Sequence, residues 1–266
     1  MCILEIKRIL MRRSFWMAFS LLMIAMLVDF MCTCLRYTGR PLSMVFSAYE
    51  YTILNNYIQT PVNPVFNILL PLIVSLMASD IYIEEHLLGM ENMLKTRMTA
   101  KKYVQSQIMA IIIMVSVSVG VVLFANFILV LIAFPVQGHM TDLTTFKEFA
   151  PADPTRILSG LENLHPYMNL IVYAVIRIVF CVLAALLSYA VSTCWKCSRY
   201  VVCLFSFIFY FVYDLVTGQI HSEVLSTNIL GVNGYGSIWM IGLFFALEIA
   251  IIIGLIARCI RKDTLT

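Results

Sequence analysis

The sequence predicts an all-α integral membrane protein, one domain over residues 1–266, with six transmembrane helices and no soluble catalytic domain. Three observations carry this. The chain is 61% hydrophobic and only 12% charged, with a mean hydropathy of +0.91. A soluble domain is about half apolar and about a quarter charged, so this chain has too little polar surface to cover a globule in water. Six apolar stretches approach the ~20 residues that a membrane-spanning helix needs. Lys and Arg gather in alternate connections between those stretches. The net charge of +3 is too small to argue for nucleic acid.

The six expected spans are Phe15–Cys34, Phe66–Ile83, Tyr103–Phe134, Tyr167–Ser192, Tyr200–Thr217 and Ser237–Ile256. The first is too long for a secretory signal and no small-x-small cleavage site follows it, so it reads as a retained span. The third and fourth exceed what a bilayer requires and are expected to tilt or project. The fifth is short and aromatic.

Orientation follows from the basic residues. Thirteen lie on one side: Lys7, Arg8, Arg12, Arg13, Lys95, Arg97, Lys101, Lys102, Lys196, Arg199, Arg258, Arg261 and Lys262. Four lie on the other: Arg36, Arg40, Lys147 and Arg156. Both termini are therefore expected on the cytoplasmic face of the cell membrane, which agrees with an even number of spans. Among the outer connections, Leu42–Leu54 reads as an amphipathic helix lying flat at the interface. Residues 218–236 read as a segment dipping back into the outer leaflet against spans five and six near a subunit interface. Gly231, Gly234 and Gly236 permit tight turns there.

The eight cysteines lie mostly within or beside apolar runs and read as small hydrophobes. Cys194 and Cys197 have a CxxC spacing, but the strand and helix context of a redox motif is missing and no second pair completes a zinc site. No metal or cofactor site is expected in the chain.

The most informative segment runs from Asp80 to Tyr103. Leu87, Leu88, Met90, Met93 and Leu94 supply apolar groups at helical spacing, with Glu91, Lys95 and Arg97 as charge. Such a helix suits either a groove on a partner protein or lipid headgroups. Its residues Glu84, Glu85, Gly89, Glu91, Met93, Leu94, Thr96 and Arg97 are the candidate coupling residues.

This pattern, Glu85-x-x-x-Gly89-x-Glu91-x-Met93-Leu94-x-Thr96, resembles the end of span two in ABC-2 type permeases. Met90 and Arg97 stand where that family usually has Thr and Pro. The opening Leu4-Glu5-Ile6-Lys7-Arg8-Ile9-Leu10 before Phe15-Trp16 resembles the family's N-terminal amphipathic helix on the inner leaflet. In size and layout the nearest subgroup is the bacteriocin or lantibiotic export and immunity permeases. The resemblance implies a non-catalytic exporter subunit in a bacterial cell membrane, paired with a second permease, the same or a sister chain. It implies two copies of a separate ABC ATPase that hold the ATP and Mg, with a peptide or amphiphile as cargo. The sequence carries no G-x-x-x-x-G-K-[ST] of its own.

Two rival readings differ in class. Glu84-Glu85 resembles the paired carboxylates of intramembrane metalloproteases, but Gly89 stands where that motif needs Arg, and His139, His165 and His221 map to the other side. An ion-coupled secondary transporter would be expected to show two similar halves, which the sequence lacks.

Charged residues inside spans are costly. Arg177 and Glu248 sit at matched depth near mid-bilayer and are expected to form a static buried ion pair, ahead of a role in substrate contact. Asp29 lies nearer the outer end of span one.

Overall fold

The computed structural model describes residues 2–41, 45–55, 60, 62–79, 81, 100–136, 154–195, 198–220, 225–232 and 234–265. Among them the chain is all-helical, with one isolated bridge between Arg156 and Tyr235. The helices are α1 (Cys2–Leu10), α2 (Arg13–Tyr37), α3 (Val62–Ala78), α4 (Ala100–Ala133), α5 (Ser159–Leu164), α6 (Pro166–Cys194), α7 (Arg199–Ile220), α8 (Ser226–Ile229) and α9 (Ile238–Leu265).

Five helices are long and apolar enough to cross a membrane: Arg13–Tyr37, Lys102–Ala133, Pro166–Cys194, Tyr200–Gln219 and Ile238–Arg258. They correspond to five of the six expected spans. The expected second span differs. Its helix begins earlier, at Val62, and has 17 residues, about 26 Å at ~1.5 Å per residue. Apolar Ile81 and Ile83 extend the sequence window past Ala78, where α3 ends.

Local chemistry explains several boundaries. Pro166 opens α6 at the position where a missing N–H costs nothing. Phe134-Pro135 closes α4, because a residue before proline is pushed out of the helical region. Trp16 Nε1 donates to the Leu10 carbonyl at 2.7 Å, capping the break between α1 and α2. On α1, Glu5 and Ile9 are buried, with Ile3, Leu4 and Leu10 exposed.

The central element is α6, which touches α3, α4, α7 and α9. Every residue from Leu183 to Ser192 is buried. Ala184, Ala185, Ser188, Ala190 and Ser192 are small enough to let neighbouring backbones approach, which is how helices associate where no water drives them together. Outward faces are apolar: Trp239, Leu243 and Ile253 on α9 and Tyr200, Phe211 and Leu215 on α7 are exposed. In water such faces would be unstable, whereas hydrocarbon suits them.

One end of the bundle gathers residues 45–55, 60, 154–165, 225–232 and 234–236 and is termed the loop end. The opposite end holds Leu10–Arg13, Ser79, Ile81, Ala100, Trp195, Ser198 and Arg199 and is termed the termini end. The described part of Leu42–Leu54 corrects the expected interfacial helix. It forms a single 3₁₀ turn at Ala48–Tyr51, and Val45, Phe46, Ala48, Tyr49, Tyr51, Ile53 and Leu54 are all buried. Tyr51 stacks on Phe134 at 4.0 Å, and its hydroxyl accepts the Phe46 N–H at 2.9 Å. An amphipathic helix needs a polar face toward water. Here Thr52 and Asn55 turn inward and bond to the Tyr49 carbonyl, so no such face exists.

Candidate functional site

Asn169, Tyr173 and Arg177 recur every four residues along α6 and so share one face of the helix. All three are buried. Asn169 Nδ2 donates to the Tyr49 hydroxyl at 3.2 Å, and Arg177 Nη2 donates to the Leu230 carbonyl at 3.3 Å. Other elements add polar groups at the same end. Asn67 Nδ2 on α3 donates to Asn63 Oδ1 at 2.9 Å, and Asn63 Nδ2 donates to the Ile53 carbonyl at 3.0 Å. Asn126 Oδ1 on α4 accepts the Ile53 N–H at 3.0 Å. Asp29 on α2 accepts the Thr60 hydroxyl. Ile53 is thus pinned from both sides by side-chain amides, which fixes the loop layer over the ends of α3 and α4.

Several buried atoms at this end meet no hydrogen-bond partner among the described residues: Nε and Nη1 of Arg177, the Tyr173 hydroxyl, Nδ2 of Asn126, and Oδ1 of Asn67 and Asn169. Buried polar atoms are nearly always paired, and each one that is not costs roughly 1–3 kcal/mol. So many in one place call for an explanation. Asp29 lies within coulombic range of Arg177 but is engaged by Thr60 and forms no ion pair with it.

Toward the loop surface, Arg156 Nη1 bridges both carboxylate oxygens of Glu162 at 3.0 and 3.3 Å, with little of either side chain exposed. Burial, and after it the Glu162 carboxylate, push the Tyr49 phenol well above its ordinary range, so it stays neutral.

Among the described residues after α7, the expected contact with span five is present, and further bonds run to α6 and the loop layer. Ile229, Leu230 and Val232 are buried. Ser226 bonds Asp214 of α7 through its N–H and its hydroxyl, each at 2.7 Å. Beyond that the segment faces α6 and the loop layer. Leu230 takes Arg177, Val232 N–H donates to the Leu54 carbonyl, Gly234 accepts the Ile157 N–H, and Gly236 N–H donates to Thr155. A Cβ on Gly234 would lie 2.1 Å from the Asn228 carbonyl oxygen, and Gly236 has a φ of 129°, so both positions require glycine.

Arg177 and Glu248 do not form the expected ion pair. Glu248 Oε1 accepts the Tyr210 hydroxyl, and its Oε2 is unpartnered. Phe180, Tyr210 and Phe244 pack together around that contact, with Phe180 and Tyr210 ring centres 4.8 Å apart. Equal depth along two helices does not fix which faces meet. Arg177 follows the polar face of α6 toward Leu230, and Glu248 faces Tyr210.

The candidate coupling residues Glu84, Glu85, Gly89, Glu91, Met93, Leu94, Thr96 and Arg97 lie outside the described residues. Of the intramembrane charges, the structure brings Asp29 and Arg177 into one cluster and leaves Glu248 in another. Asn63, Asn67, Asn126, Asn169 and Tyr173 were not among the sequence candidates. Their signal was present: Asn63 and Asn67 are four apart, Asn169 and Tyr173 continue the spacing to Arg177, and Asn126 interrupts an apolar run. Among the described residues, no group of three His, Cys, Asp or Glu could hold a metal.

An all-helical bundle with five membrane-length apolar helices and a buried polar cluster defines the class as a polytopic membrane protein. The chain matches no protein-family model, no curated protein and no solved structure.

Proposed function

We propose that the chain is the membrane subunit of an ATP-driven exporter, with α3 as a sixth, shorter span and both termini in the cytoplasm. The observation that carries a transport role is the file of Asn169, Tyr173 and Arg177 on the central helix, together with the buried amides of Asn67 on α3 and Asn126 on α4. Polar groups inside a membrane bundle are expensive and cluster where something polar must pass or bind. Energy would come from a separate ATPase, since the sequence has no phosphate-cradling loop. The resemblance of Glu85-x-x-x-Gly89-x-Glu91-x-Met93-Leu94-x-Thr96 to ABC-2 permeases supports that division of labour. It also supports pairing with a second permease and an amphiphilic or peptide cargo.

Leu94→Asp tests the reading. The wild-type chain, purified from its own membrane, should carry a protein that hydrolyses ATP. Leu94→Asp should lose that protein while inserting normally. Absence of any ATPase from the wild-type complex, or its full retention by Leu94→Asp, would overturn the assignment.

A further inference from the structure

Arg177 is 1% exposed, and only one of its three nitrogens has an acceptor. A guanidinium carries five N–H donors and is always charged. Its single partner is a neutral carbonyl, and the nearby carboxylate of Asp29 is held by Thr60. One turn toward the loop end on the same face, the fully buried Tyr173 hydroxyl also has no partner. A buried cation that is short of acceptors, with an idle hydroxyl donor one turn away on the same helix face, is matched by an oxyanion that supplies the missing acceptors.

We propose that Arg177 anchors an oxyanion-binding site inside the bundle, with the Tyr173 hydroxyl as a second donor, that takes a carboxylate or phosphate group. Leu230 closes over the guanidinium from the loop end, so an occupant bonds the Nε and Nη1 that Leu230 leaves free. Asp29 opposes the occupant, because its negative charge lies within coulombic range of the same guanidinium. The outward faces of the bundle are apolar, so an acid carried on an aliphatic tail approaches the site from the bilayer, and a small anion approaches it from water. The chemistry at Arg177 is the same in both cases. The site belongs to this chain alone and does not depend on an ATPase.

The test is binding to the purified full chain in a neutral detergent, read by melting temperature and by titration calorimetry. The probes are dodecanoate, dodecyl phosphate, dodecanol as the uncharged match, acetate and inorganic phosphate. Dodecanoate or dodecyl phosphate should bind saturably and dodecanol should not. Tyr173→Phe should weaken that binding about tenfold without lowering the melting temperature of the free protein, because the lost hydroxyl bonds nothing there. Asp29→Asn, which keeps an acceptor for Thr60, should tighten binding. Arg177→Gln should remove it. Saturable binding of acetate or phosphate with the same response to these variants supports the site and assigns a free anion as its source. Equal binding of dodecanol and dodecanoate, no binding by any probe, or unchanged affinity in Tyr173→Phe would overturn the proposal.

Discussion

The two halves of α6 differ in burial and are built on opposite rules: the termini-end half is buried almost throughout, the loop-end half along one face. In the termini-end half, the polar groups are mostly short, and they are satisfied, the larger Tyr189 included, whose hydroxyl donates to Gln107 Oε1 at 2.5 Å. The Ser188 hydroxyl donates to the Ala184 carbonyl at 3.1 Å, Ser192 to Tyr189 at 2.7 Å, and Ser206 of α7 to Ala184 at 3.2 Å. Ser75 of α3 donates to Leu72 at 2.7 Å and to Cys203 at 3.2 Å. In the loop-end half, the polar groups are large, and several are left incomplete. Complete bonding and small side chains make a rigid contact between helices, whereas incomplete bonding leaves capacity for an occupant. One helix therefore provides both the tightly packed contact of the bundle and its candidate site.

The sharpest way to break this comparison is to overfill the tight half. Ala184 has no exposed surface, and its carbonyl accepts two hydroxyls. Ala184→Leu should destabilise the protein by about 3 kcal/mol in a detergent melt, at the upper end of overpacking effects. A melt within about 0.5 kcal/mol of wild type would show that this half is loosely packed.

The cover of the loop-end half gives the next effect. Gly234→Ala places a Cβ against the Asn228 carbonyl, which is backbone and has little room to move. It should cost about 2 kcal/mol and should make a cysteine at Leu230 react with a thiol reagent that the parent excludes. Protection of that cysteine in both backgrounds would place the cover elsewhere.

A double-mutant cycle sharpens the boundary between the two buried charges. Arg177→Gln and Glu248→Gln should combine additively, with a coupling below about 0.5 kcal/mol, because their hydrogen-bond partners, Leu230 and Tyr210, are different. A coupling of 1 kcal/mol or more, on the order of that between groups in contact, would restore the ion pair.

Much of the fold is legible in the sequence, because hydrocarbon imposes one requirement on every span, and length and hydropathy express it directly. Five helices follow from it. The burial of Ile229, Leu230 and Val232 is legible too, through the low charge and the glycines of their segment. The site was legible only in part. Arg177 and Asp29 stand out as charges, but Asn126 and Tyr173 are moderately polar residues whose burial is decided by which helices face them. The Arg177–Glu248 pairing fails for the same reason: depth follows from residue counting, and azimuth follows from packing. The 3₁₀ turn at Ala48–Tyr51 escapes a periodicity reading because four residues are fewer than two helical turns.

The central claim is that hydrogen bonding on α6 is complete at one end and incomplete at the other. The most direct measurement compares Ser188→Ala with Tyr173→Phe, each removing a single buried oxygen from the same helix. Melting in the same detergent, without ligand, should show Ser188→Ala losing about 0.5–1 kcal/mol and Tyr173→Phe losing nothing or gaining stability. A loss in Tyr173→Phe as large as that in Ser188→Ala would contradict the account, because it would mean that the Tyr173 hydroxyl is already bonded in the free protein.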